Sequence, residues 1–178
     1  MSVWCATVVL ILWLDPTLCL GISNYDVRLE SLEKIKVDEE TLFEFNLKLI
    51  GRDRLLNGSL INHVDMDEQY DVWIDIATFK NGEWMPMNLK IRTKPCDFMK
   101  NIFGKYYQPS FLDSNFPTGD DLCPFHKGEY YVKNVAMSTD NWPSFTIKGL
   151  NRASFSFLKN GKLVGGFVVV INLFDRNT

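Results

Sequence analysis

Cys123-Pro124-Phe125-His126-Lys127-Gly128-Glu129-Tyr130-Tyr131 joins a cysteine, a tight turn and the start of a strand in one short stretch. Pro124 fixes one backbone angle and removes a donor, and Gly128 permits a positive φ. Tyr130, Tyr131 and Val132 then supply the aromatic and β-branched side chains that suit a pleated surface. A loop closes here and a sheet resumes.

The partner of Cys123 follows from what precedes it. Val3 to Leu14 is almost wholly apolar and ends at Asp15-Pro16, well short of the ~20 residues that a membrane-spanning helix needs. Small residues follow, so residues 1–21 read as a secretory signal, with cleavage after Gly21 or Cys19; its n-region carries no Lys or Arg, which leaves an uncleaved anchor as the alternative. Residues 22–178 then form a single domain. The signal takes Cys5 and Cys19 with it, leaving Cys96 and Cys123, which in a secreted chain have only each other to pair with. A disulfide between them is expected.

Working outward, the period is that of strands. Tyr25, Val27 and Leu29 alternate with Asp26, Arg28 and Glu30; Phe43, Phe45, Leu47 and Leu49 alternate with Glu44, Asn46 and Lys48. Leu56 to Val64 reads as a third strand. Tyr70, Val72, Ile74 and Ile76 against Asp71 and Asp75 read as a fourth, with Phe79 continuing after a shift of face. Lys80-Asn81-Gly82-Glu83 predicts a two-residue hairpin turn into a fifth strand, Trp84 to Ile91. The end repeats the device: Ala153, Phe155 and Phe157 alternate with serines, Asn160-Gly161 turns the chain, and Leu163 to Phe174 returns. Gly165-Gly166 suggests a bulge or a close backbone approach. Phe167 to Ile171 is apolar on both faces, as expected of a strand between two layers.

The period changes after Pro95. Phe98, Met99, Ile102, Phe103 and Tyr106 recur at three- and four-residue steps, which puts them on one face of a short helix, either a lid over a pocket or a helix packed on a sheet. Gln108 to Asp121 reads as a polar loop. Asn141-Trp142-Pro143-Ser144-Phe145 places two aromatics around a proline in a connection, as a pocket rim, a membrane-touching tip or inward-turned core. Seven or eight strands, one helix and one disulfide predict a mainly β fold, an antiparallel β-sandwich or cup. Asn57-Gly58-Ser59 is a sequon for N-glycosylation of Asn57.

The formal charge of −3, about −2 without the signal, with acids and bases interspersed, argues against nucleic acid or an anionic membrane as the main target. His63 and His126 lack the paired spacing of a zinc site, so no metal or cofactor is expected. Nucleophile-elbow, phosphate-loop and His-Glu-x-x-His signatures are absent, and an enzyme is not expected. Asp65, Asp67, Asp71 and Asp75 read as a solvated face.

With these residues laid out, the run from Cys123 to Leu173 (Cys-Pro-Phe-His-Lys-Gly-Glu-Tyr, then Trp-Pro-Ser-Phe and Asn-Gly-Lys-Leu-Val-Gly-Gly) resembles the ganglioside-activator branch of the ML lipid-recognition proteins. Leu56-Asn57-Gly58, Cys96-Asp97-Phe98-Met99 and Asn115-Phe116-Pro117 are more similar to the insect chemosensory proteins CheA and CheB. The resemblance implies a cup whose sheets stand apart to hold a lipid tail or hydrocarbon, without catalysis. By position, Phe43, Phe45, Trp73, Phe155, Phe157 and Phe167 become candidate walls, Phe98, Ile102 and Phe103 a candidate lid, and Trp142 and Phe145 the mouth. The activator carries several disulfides where this chain forms one, which favours the chemosensory side. The expected function is therefore a secreted binding protein for a lipid or hydrocarbon cue, pheromones included, with a membrane receptor or channel as a further partner. An accessory subunit or co-receptor that acts by protein contact with a filled core is the alternative.

Overall fold

The structure, a computed structural model, describes residues 24–37, 42–143 and 146–176. The expected signal, residues 1–21, and Phe145 at the expected mouth lie outside the described residues. Among the described residues eight strands form two antiparallel sheets: β1 (Tyr25–Lys34), β2 (Phe43–Ile50), β3 (Leu55–Asn62), β4 (Tyr70–Lys80), β5 (Glu83–Thr93), β6 (Gly128–Val135), β7 (Gly149–Lys159) and β8 (Lys162–Asp175). The wide sheet runs β1-β8-β7-β4-β5 and the narrow one β2-β3-β6. The β-sandwich or cup class expected from alternation is the one found.

Local chemistry sets the turns. Asn81 and Gly82 (φ 53° and 86°) and Asn160 and Gly161 (φ 53° and 76°) are in the left-handed region, as a two-residue turn matched to the twist of its strands requires. Lys80 thus faces Glu83, and Lys159 faces Lys162. Between β7 and β8 the register slips after Phe157, which faces Gly165, to Leu158, which faces Leu163, so Val164 is the extra residue of a bulge. A Cβ at the neighbouring Gly166 would clash with the carbonyl oxygen of Phe155. Gly165-Gly166 is therefore both things its sequence suggested. Gly58, at φ 129°, brings β3 so near the Asn46 carbonyl that no side chain fits.

One helical segment follows β5. Pro95–Phe98, here α1, continues as a π-helix over Met99–Tyr107, with Asp97 in the first turn. The wider i→i+5 turn changes which residues share a face. Phe98, Met99 and Phe103 are buried as expected, but Tyr107 rather than Tyr106 packs on the core. The periodicity reading assumed an α turn, and the error accumulates toward the C-terminal end. The loop after it is not wholly polar either: Phe111 and Phe116 turn inward and Leu122 is buried.

The stretch from Cys123 is anchored on all sides. Cys96 and Cys123 are disulfide-bonded with Cα atoms 5.2 Å apart, and the Cys123-Pro124 peptide is cis. Phe125 bridges to Met66, and Asn62, 2% exposed, donates from Nδ2 to the carbonyls of Val64 (2.8 Å) and His126 (3.0 Å). Asp65 accepts the Lys127 backbone N–H at 2.8 Å. The end of β3, the start of β6 and the helix are thereby tied together.

Replacing both cysteines by Ala reopens a loop of sequence separation 27, which on the chain-entropy account lowers the unfolding free energy by ~3 to 4 kcal/mol. Urea titration of the oxidised parent and the double variant checks this. A variant as stable as its parent contradicts it.

Candidate functional site

Alternation on β2, β7 and β8 sends one phenylalanine series from each strand into the space between the layers. There the rings meet. Phe43 contacts Phe157 edge-on with centroids 4.9 Å apart, and Phe45 contacts Phe167 at 5.7 Å, joining the narrow sheet to the wide one. Within the wide sheet Phe155 stacks on Phe167 at 4.6 Å, and Phe98 of α1 closes on Phe155 at 5.9 Å. Each such pair contributes ~0.5 to 1.5 kcal/mol beyond the burial of its area. Phe43, Phe45, Phe155, Phe157 and Phe167, all expected walls, thus form one network with Phe98.

Trp73 does not join them. It shares a face with Asp71 and Asp75, opposite the fully buried Val72, and stands 40% exposed on the outside of the wide sheet with the Arg92 guanidinium 4.5 Å above its ring. Strand parity decides this, and its wet neighbours already carried the signal. The expected lid also divides. Phe98 belongs to the inter-sheet network and Ile102 packs against the same core. Phe103 belongs to a second group, with Phe111 at 5.5 Å and Phe116 at 5.6 Å, and Phe116 leads on to Tyr130 and Phe125. The helix is a packed wall with aromatic rings on two sides. Trp142 donates its indole N–H to the Tyr106 carbonyl at 2.9 Å and sits edge-on to Tyr107, so it clasps its loop to the helix.

The core has an open side. β5 is an edge strand. Ile74 pairs with Ile91 and Thr78 with Met85, while the slip between Asp75 and Ala77 leaves Met87 to Leu89 as a bulge opposite Ile76. Ile76 and Ile91 are only partly buried against the ring network, and Met85 and Leu89 are 50% and 49% exposed. An apolar surface therefore runs from Phe155 through Ile74 and Ile76 to the edge of the sheet. Two open hollows among the described residues lie elsewhere: about 490 Å³ between Leu112 and the outer face of β6, and about 420 Å³ beside Arg52, Arg54 and Phe174. Asn57 faces outward on β3, its Nδ2 3.0 Å from Asn134 Oδ1.

The titrating groups with displaced pKa values have structural causes. The Lys127 backbone N–H and then His126 hold the Asp65 carboxyl below its ordinary value. A lowered carboxyl stabilises the fold above the ordinary carboxyl value and loses that contribution as pH falls through the folded one. Hydrogen bonds from Ser138 and Arg176 hold Asp140 down, and burial pushes the Tyr107 phenol up to about 12. Among the described residues no three His, Cys, Asp or Glu side chains gather to hold a metal ion.

Truncating the centre of the ring network, Phe155→Ala, is expected to cost ~3 to 5 kcal/mol of stability, whereas Trp73→Ala on the outer face costs about 1 kcal/mol or less within a single protomer at high dilution. Denaturant unfolding of the two variants compares them, and equal losses would contradict the assignment of faces.

Residues 71–152 match a family model described as protein of unknown function, DUF1091. That segment holds β5, the helix, both disulfide cysteines and β6. No curated protein matches the chain. The similarity covers these residues alone and carries no activity.

Proposed function

We propose that the protein is a secreted, non-enzymatic binder of an apolar ligand, a lipid or hydrocarbon, which enters from the β5 edge and lodges between the layers. The observation that carries this is the apolar surface from the buried Phe155 through Ile74 and Ile76 to the half-exposed Leu89, with the half-exposed Met85 beyond Thr78. A long-chain ligand lying on such a surface gains roughly 25 cal/mol for each Å² taken from water and needs few polar contacts. The rings at the inner end make room for it: Phe45 and Phe167, both partly buried, separate to accommodate the chain between the layers. Secretion accords with the disulfide, which persists in oxidising compartments. The role in chemosensory perception, pheromone response included, rests on the resemblance to CheA and CheB.

The contact between Phe43 and Phe157 across the layers favours a second reading, in which the filled core is a scaffold and the protein acts as an accessory subunit or co-receptor for a membrane receptor or channel.

Uptake of a fluorescent long-chain probe separates the two. Leu89→Lys and Met85→Lys place a charge on the access strip at positions already half exposed, so folding survives, and probe affinity is expected to fall at least tenfold, ~1.4 kcal/mol. Binding that these variants leave unchanged, or a parent that takes up no probe, sinks the carrier reading.

A further inference from the structure

The outer face of the wide sheet carries an apolar stripe, Val168, Val170, Trp73, Phe79 and Trp84, between bands of charged and polar residues. Val168 and Val170 of β8 lie on it beside Ser154 and Arg152 of β7, which in turn pair with Asp75 and Ala77 of β4. Trp73 and Phe79 of β4 are 40% and 41% exposed on the same face, and Trp84 of β5 packs edge-on to Phe79 at 5.2 Å. Among the described residues no layer covers them. The sequence expectation that β8 lies between two layers is thus met on one side only. The other side has the sequence of a buried strand and no partner.

We propose that this face is covered by the same face of a second copy of the chain, in a two-fold sheet-on-sheet dimer. Area permits it. Five strands at about 4.8 Å spacing and some eight residues at about 3.3 Å each give a face on the order of 600 Å² in projection. Corrugated by side chains, that approaches the roughly 800 Å² each partner buries in a standard interface. Composition suits it as well, since Trp and Arg dominate the energetics of such surfaces.

Charge fixes the orientation. Lys90 stands at the β5 end of the face beside Arg92, whose guanidinium is already paired with Asp75 at 3.0 Å, and Arg152 leans the same way, its guanidinium 4.7 Å above the Trp84 ring. The β1 end carries Glu33, paired with Val168, while Glu30 at the bulge is already ion-paired with Arg28 at 2.7 Å. Register places Glu33, Val168, Ser154, Asp75 and Lys90 in one row across all five strands. A two-fold axis parallel to the strands, near β7, reverses strand order and keeps rows in register, so Glu33 of each copy meets the basic end of the other. A self-complementary surface is what an isologous interface demands.

Sedimentation equilibrium on the secreted, disulfide-bonded protein tests this. The expected result is a dimer of micromolar or tighter dissociation constant. Val168→Lys, at a half-buried outer position, makes it monomeric, with probe uptake and near-ultraviolet dichroism unchanged. Glu33→Lys and Lys90→Glu each weaken the dimer at least tenfold, and the double exchange restores it. A parent that stays monomeric at the highest soluble concentration overturns the proposal, as does a dimer that survives Val168→Lys. The result is independent of whether the interior binds a ligand, because the two faces of the sheet are read separately.

Discussion

The bond between Cys96 and Cys123 ties the helix that follows the wide sheet to the loop that leads into the last strand of the narrow one. Without that tie the two layers are unequal partners. Three strands cannot cover five, and the uncovered part of the wide sheet would face water. The helix, held at its first turn by the disulfide, brings Phe98 and Met99 over β4 and Phe103 toward the loop aromatics, and so completes the roof. What it leaves bare is the β5 edge, where Met85 and Leu89 remain half exposed. The open side of the protein follows from strand count and from where one covalent link can reach.

Inside, the same residues serve stability and the proposed binding, which are in tension. Rings that meet across the layers stabilise the empty protein, and a ligand that separates them replaces those contacts with its own. Phe43 and Phe157 are almost fully buried and look committed to the fold, while Phe45 and Phe167, partly buried and toward the other end of the network, are better placed to yield. A core graded in this way lets one end hold the sheets together while the other exchanges partners. Sub-ångström complementarity is not needed for an alkyl chain, whose attraction is non-directional.

Much of the fold was legible because strands write their period plainly. The alternation of Phe43 and Phe45, the Asn-Gly turns and the paired glycines each carry one dominant physical signal, and each appears where expected. Trp73 was misplaced because an aromatic suggested a wall while its parity with Asp71 and Asp75 said otherwise; parity wins, since a strand cannot turn one side chain to the other face without a bulge. Tyr106 was misplaced because the π turn is set by packing and leaves no mark in the spacing. Phe111, Phe116 and Phe125 were overlooked for another reason. They sit in irregular backbone, have no period, and are gathered only by a loop whose ends the disulfide joins. No local pattern could show that the wide sheet keeps an uncovered apolar stripe, because the apolar run of β8 reads the same whether or not a second layer covers its outer side.

The central claim is that the space between the layers accepts an apolar molecule, and native mass spectrometry with lipid extraction, on protein secreted from insect cells with its disulfide formed, tests it most directly. The account predicts a retained fatty or hydrocarbon molecule, or stoichiometric uptake when one is supplied. A clean apo mass that also refuses added hydrocarbons would contradict it and leave the ring network as a filled core.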